Sequence, residues 1–379
     1  MATTTDTSDR LSVPFVDLGP MSSDVRATVL RDLERLIDAG AFVNGPFVEE
    51  FERSFASACG REIAVGVASG LDAIRIGLEA AGLAPGDGVV VPAMTFGATF
   101  EAVVQAGGVP VVVDVREDDA GMNVDAVAAA VGPQVRFFLP VHLYGQMVDI
   151  RGLMSLAEKH GLAILEDACQ AHGAERDGVK AGSAGIAAAF SFYPSKNLGA
   201  WGDAGALVLD DERIAVRVRA LREHGQTSRY HSEFIGYTSR LDAIQALVLS
   251  HKLPLLKGWN KERQTAATYY GQELANVGDL SLPAAVPGST HVWHVYAVRT
   301  SNPEALGAFL KSRGIASGRH YPEPPHLAPA FAHLGLKAGT FPVAEAIARE
   351  TLSLPIFPGI TEAQLEAVVG AVQDFFVGA

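Results

Sequence analysis

The chain is poor in the features that mark secreted, membrane-spanning and nucleic-acid-binding proteins. It has two cysteines in 379 residues, Cys59 and Cys169. Their contexts are unlike and carry no metal-ligand spacing, so a disulfide scaffold and a structural metal are both excluded. Both read as buried thiols in a reducing cytoplasm. No uninterrupted apolar run reaches the roughly 18 residues a membrane span needs. The start, Met1 to Arg10, is rich in Thr, Ser and Asp and lacks the basic and apolar segments of a secretory signal, so residues 1–12 are expected to be a flexible tail. Only 19% of residues are charged, and the net charge is −13. That balance argues against nucleic acid or an anionic membrane as the partner, while leaving room for an anionic small molecule held by local groups. The dinucleotide-binding glycine fingerprint is missing, which weighs against a nicotinamide reductase. No repeat, low-complexity block or lipidation signal is present.

What the chain has is apolar content, 48% of its residues, enough for a large core. Val25 to Ala39 has helical spacing, and Asn44-Gly45-Pro46 is a turn before a second helix over Val48 to Ala58. From Ile63, apolar strands alternate with helices: strands at 63–68, 89–91, 109–113, 135–141, 163–165, 187–193 and 206–209, with helices between most of them. This pattern predicts an α/β fold with a mostly parallel sheet covered on both faces. Residues at the carboxyl ends of the strands then form the site. Leu241 to Val277 reads as a long helix with breaks at Pro254 and Gly258. The remainder, with a strand at 292–299 and helices at 303–311 and 362–375, reads as a smaller α+β unit. The expected division is a large domain over 13–255 and a small C-terminal domain over 256–379.

The chemistry concentrates between Ile164 and Asp203. Asp167 ends an apolar strand, and Lys196 is a lone lysine in a loop between two apolar strands. Pyridoxal phosphate (PLP) needs both residue types: a lysine to form a Schiff base with the aldehyde, and an acid to keep the pyridine nitrogen protonated as an electron sink. Ser69-Gly70-Leu71 lies at a strand-to-helix junction, where free backbone N–H groups make an anion site; a Ser N-cap without a ligand has the same sequence.

Glu166-Asp167-Ala168-Cys169-Gln170-Ala171-His172-Gly173 and Ser191-Phe192-Tyr193-Pro194-Ser195-Lys196-Asn197-Leu198-Gly199 together resemble the DegT/DnrJ/EryC1/StrS family of nucleotide-sugar aminotransferases, and the likeness runs from about Val13 to the C-terminus. It implies the type I, aspartate-aminotransferase-like fold. It also implies transfer of an amino group from L-glutamate to a nucleotide-linked keto-deoxysugar, with pyridoxamine phosphate formed between the half-reactions, for deoxyaminosugar and natural-product biosynthesis. By resemblance, Lys196 and Asp167 are catalytic. Ser69, Gly70, Leu71 and Ser191 hold the phosphate, Phe96 stacks on the ring, and Gln170 lies on its hydroxyl side. The loop Gln226 to Ser239, including Tyr230, is expected to cross a homodimer interface to the partner's site. It carries Thr238 where the family has an Asn phosphate contact. Arg240 reads equally as a structural anchor or a carboxylate ligand. His320, Tyr321 and His326 border the sugar-nucleotide site, in a stretch resembling enzymes of 3-keto rather than 4-keto sugars. The alternatives are a sugar dehydratase, in which histidine replaces the lysine, and a non-catalytic regulatory homologue.

Overall fold

The computed structural model describes residues 11–378; the expected tail at 1–12 therefore falls almost wholly outside the described residues. Two helices lead in. α1 (Gly19–Ala39) and α2 (Pro46–Cys59) each have Pro in the first turn, where a missing N–H costs nothing, and each closes on a left-handed glycine, Gly40 and Gly60.

Seven strands form the main sheet: β1 (Ile63–Val67), β2 (Gly88–Pro92), β3 (Val109–Val113), β4 (Val135–Phe138), β5 (Ala163–Asp167), β6 (Ala187–Ser191) and β7 (Gly205–Leu209). Their spatial order is β1-β7-β6-β5-β4-β2-β3. β2 to β6 pair in parallel, while β7 runs antiparallel to both its neighbours. The parallel strands are joined by crossovers, through helices in most cases and through the helix-free segment 168–186 with its small hairpin Glu175–Lys180 between β5 and β6; the shorter segment 192–204 makes no crossover, and β7 returns in the opposite direction. That helix-free return is the loop that carries Lys196.

Burial alternates along the strands. Ile164, Ala188 and Phe190 enter the core beneath α2, where Phe51, Phe55, Phe190 and Phe192 meet edge to face at 5.0–5.3 Å. Leu165, Ala187 and Ala189 enter the core beneath α3 (Gly70–Ala80) and α4 (Gly97–Gln105). α3 lies so close to the sheet that a Cβ on Gly77 would sit 2.7 Å from Leu165 Cδ1 and 2.9 Å from Leu207 Cδ2. Burying each such Phe or Leu contributes about 1.5–3 kcal/mol, which holds the strand ends in fixed register.

The chain leaves this layer through a helix at Ala243–Lys252, a short 3-10 turn at Leu253–Leu255 and a helix at Leu256–Glu273. The expected interruption falls at Pro254, as proline chemistry requires. Gly258 causes none and sits inside the continuous second helix. That helix begins in the first core at Leu256 and ends in a third, with Ala266 and Tyr270. The third core contains β8 (Tyr296–Arg299) and β9 (Thr351–Leu354), paired antiparallel, and the closing helix Glu362–Val377. Val13 also joins it and bridges to Ile315.

Candidate active site

A cleft of about 420 Å³ opens where the carboxyl ends of β5 and β6 meet the start of α3 and the C-terminal core. Ten of the residues singled out in the sequence line it: Ser69, Gly70, Leu71, Phe96, Asp167, Gln170, Ser191, Lys196, His320 and Tyr321.

Asp167 is buried at the end of β5. Its Oδ2 accepts a 2.9 Å hydrogen bond from Thr99 Oγ1, and its Oδ1 accepts one of 3.2 Å from the Cys169 amide. Thr99 in turn contacts Thr95 Oγ1 at 2.8 Å. Lys196 lies half-buried in the return loop, its amide donating to Tyr193 O. Burial pulls its ammonium below the ordinary lysine range, while Cys169 and Asp167 act in the opposite direction. Lys196 is therefore closer to its free-base form at neutral pH than a surface lysine.

Ser69 is the N-cap of α3: its Oγ accepts from the Asp72 amide at 3.1 Å, leaving the Gly70 and Leu71 amides without intrahelical acceptors. The two readings of this junction thus coexist, because the cap oxygen is used while the first amides stay free. Gly70 is required by close approach. A Cβ there would stand 2.6 Å from Ser191 Cβ and 2.8 Å from Cys169 Sγ. This cradle of helix N-terminus and Ser191 hydroxyl fits a phosphate, and the buried Asp167 and free-base-leaning Lys196 fit a pyridinium aldehyde beside it.

Phe96 caps α4 and is 56% exposed, and its ring faces the cleft, 5.3 Å from Tyr321. Gln170 is fixed at both ends. Its Oε1 accepts from the Tyr144 amide at 2.7 Å and its Nε2 donates to Tyr321 Oη at 3.0 Å. Tyr144 Oη also donates to His320 O, so a β4-end loop, β5 and the C-terminal unit are joined around the cleft. His320 stacks on Phe15 at 5.4 Å and shares a hydrogen bond with Ser353 Oγ; burial lowers its imidazole to about 4. Cys169 departs from the expected buried thiol. It is half-buried and lines the cleft rather than the core, and burial keeps its thiol protonated.

Four expected residues lie outside this subunit's cleft. Thr238 is exposed and contacts the His224 ring. Tyr230 is 84% exposed on the hairpin at 226–232. Arg240 pairs with Glu223, the structural-anchor reading of the two. His326 is buried against Phe341 and bonded to Glu345 at 3.3 Å, a position in the fold's interior. Conversely, Thr95, Thr99 and His294 line the cleft without having been singled out. His294 Nδ1 meets Asn197 Oδ1 at 3.2 Å, and Asn197 is adjacent to Lys196.

This sheet order, with a lysine loop, a strand-end aspartate and a helix N-terminus on one cleft, defines a PLP-dependent aminotransferase of the type I fold. The chain belongs to the DegT/DnrJ/EryC1/StrS aminotransferase family, whose model matches residues 23–373. PLP is that family's cofactor. The chain is 43% identical over 363 residues to the dTDP-3-amino-3,4,6-trideoxy-alpha-D-glucose transaminase of Streptomyces venezuelae, covering 96% of each chain. It is 41% identical over 370 residues to a pleiotropic regulatory protein of Geobacillus stearothermophilus, covering 97% of this chain and 99% of that one. Among solved structures, DesV of S. venezuelae in complex with a ketimine intermediate superposes with a TM-score of 0.94 at 42% identity, over 96% of this chain and 98% of that one. Among the described residues, no helix is long and apolar enough to cross a membrane.

Proposed function

We propose that this aminotransferase moves the amino group of L-glutamate onto a nucleotide-linked 3-keto-deoxysugar. The observation that carries the reading is the placement of Lys196, Asp167 and the Ser69–Leu71 cradle on one cleft. When bound, the cofactor supplies an electron sink that makes a proton on the carbon bearing nitrogen acidic. Lys196, whose ammonium burial pulls below the ordinary lysine range, would take up that proton and give it back. Asp167, fixed by Thr99, keeps the ring nitrogen protonated. Gly70, Leu71, Ser69 and Ser191 hold the phosphate, and Phe96 covers the ring face. Gln170, locked by Tyr144 and Tyr321, contacts the ring's hydroxyl side. His320 and Tyr321 border the sugar.

Support for position 3 comes from relatives named for their reaction: those of S. venezuelae, Acidithiobacillus ferrooxidans and Aneurinibacillus thermoaerophilus are all named for a 3-amino group on a dTDP- or UDP-linked sugar. The proposed protein is a cytoplasmic homodimer with active sites at the interface. Supporting that, Phe42, Val43, Trp201 and Ile244 are exposed apolar residues on neighbouring segments, joined by the Val43–Asp242 bridge and the Trp201–Gln245 hydrogen bond. The exposed Tyr230 and Ile235 project from the adjoining loop, where Tyr230 and Thr238 would serve the partner's site. The domains are proposed to divide at 255/256.

The test is turnover of PLP-loaded protein with L-glutamate and matched dTDP-linked 3-keto and 4-keto 6-deoxysugars, reading the amino-sugar product by mass. Amine formed from the 3-keto substrate in preference supports the reading; preference for the 4-keto sugar, or amine from neither, overturns it.

A further inference from the structure

A second cavity, about 590 Å³, lies on the opposite side of β6 from the cofactor cleft, between the C-terminal end of α2 and the helix Leu256–Glu273. Its size falls within the range of small-molecule sites. Phe55, Phe190 and Leu256 give it apolar walls, and Lys180, Lys257 and Lys261 are exposed at its edge against one carboxylate, Glu175. His172 also lines it. That side chain is 1% exposed, yet neither Nδ1 nor Nε2 has a hydrogen-bond partner among the described residues. Nothing in the proposed transamination uses it.

We propose that this cavity is a ligand site for a small organic anion with an apolar or aromatic body, its acid group against the lysines. The chemistry of the ligand follows from the lining: negative at the rim and apolar along the walls.

The wall is connected to the lysine loop. Asn260 lines the cavity; its Nδ2 donates to His172 O, and its Oδ1 accepts from Asn197 Nδ2, both at 2.8 Å. Asn197 follows Lys196 and bonds His294 in the cleft. A ligand pressing on Asn260 therefore acts on the loop that carries Lys196, and the site is an effector site. This second claim rests on the proposed reaction; the binding claim does not.

The probe is 8-anilinonaphthalene-1-sulfonate, titrated by fluorescence into PLP-loaded protein, with uncharged N-phenyl-1-naphthylamine as control. One saturable sulfonate site is expected, about tenfold weaker in the Lys257→Glu/Lys261→Glu variant, with the neutral probe bound alike by both. Because the two lysines are exposed and outside the cleft, the variant should keep its cofactor absorbance. Lack of saturable binding, or equal sulfonate affinity in the two proteins, overturns the site. The coupling is read as 2-oxoglutarate formed from L-glutamate in a single turnover: saturating sulfonate should change its rate at least twofold in the parent and not in the variant. An unchanged rate in the parent removes the effector role while leaving the binding result standing.

Discussion

Thr99 Oγ1 donates a 2.9 Å hydrogen bond to Asp167 Oδ2, deep in the cleft where both side chains are buried. Asp167, the acid proposed to face the cofactor ring, is therefore held in place by the helix that follows β2. A hydrogen bond to a charged acceptor is worth about 1.5–3 kcal/mol. Thr99→Val keeps the shape and removes the donor. It should reduce the rate of the glutamate half-reaction about tenfold or more while leaving the fold intact. Single-turnover kinetics check the rate, and circular dichroism the fold.

Gly70 has no room for a side chain, because its Cβ would meet Ser191 Cβ at 2.6 Å and Cys169 Sγ at 2.8 Å. Gly70→Ala must separate the α3 N-terminus from β6, the two elements that form the phosphate cradle. Overpacking of this kind costs about 1–3 kcal/mol. Titration with PLP should show about tenfold or greater loss of affinity, together with a lower melting temperature. Gly258→Ala, where nothing lies within 4 Å of the added carbon, should leave the affinity unchanged and should not lower the melting temperature.

Burial holds His172 and His291 at about 3 and His320 at about 4 in the folded protein. Unfolded, each titrates near 6.5. Between these values the unfolded chain binds more protons than the folded one, so stability is fully present above pH 6.5 and declines as pH falls through the window to about 3 or 4. The loss is at most about 1.4 kcal/mol per pH unit for each histidine. Urea unfolding between pH 4.5 and 7.5 should show this acid limb, and His172→Phe, which removes a group without hydrogen bonds, should make it shallower.

How much of this was legible in the sequence depends on the range of the interaction. The strand-helix alternation is written in contiguous residues, and periodicity reads it; the Asp167–Lys196 pairing is read from residue type and from the resemblance of the segments around each. Strand direction is not written in contiguous residues. Gly205–Leu209 has the same apolar pattern as the parallel strands and runs the other way, although the connection before the parallel strand Ala187–Ser191 is equally free of helix. Thr99 reads as an ordinary helix residue until the fold brings it to Asp167, 68 positions away. His294 likewise reaches Asn197 across 97 positions, from a segment with no local motif. His326 stands in the same Pro-rich stretch as His320 and Tyr321, but the 3-10 turn Pro325–Leu327 sends it to Glu345 instead of the cleft. The strand Thr351–Leu354 and helix Pro342–Glu350 went unpredicted, being short segments whose apolar residues contact elements distant in sequence.

Removing the lysine tests the chemistry at a single atom. Lys196→Ala should bind PLP without a covalent link and form no product with any ketosugar, because the base that moves the proton is gone while Asp167 and the phosphate cradle remain. Borohydride treatment followed by mass analysis should fix the cofactor to the parent chain at Lys196 and leave the variant unlabelled.

The most direct measurement is the absorbance spectrum of the PLP-loaded protein before and after L-glutamate, recorded side by side for the parent and Lys196→Ala. The parent should lose its visible band to a shorter-wavelength species and release 2-oxoglutarate, and the variant should do neither. A parent spectrum that glutamate leaves unchanged would contradict the account of the amino donor. A variant that converts like the parent would contradict the role of Lys196.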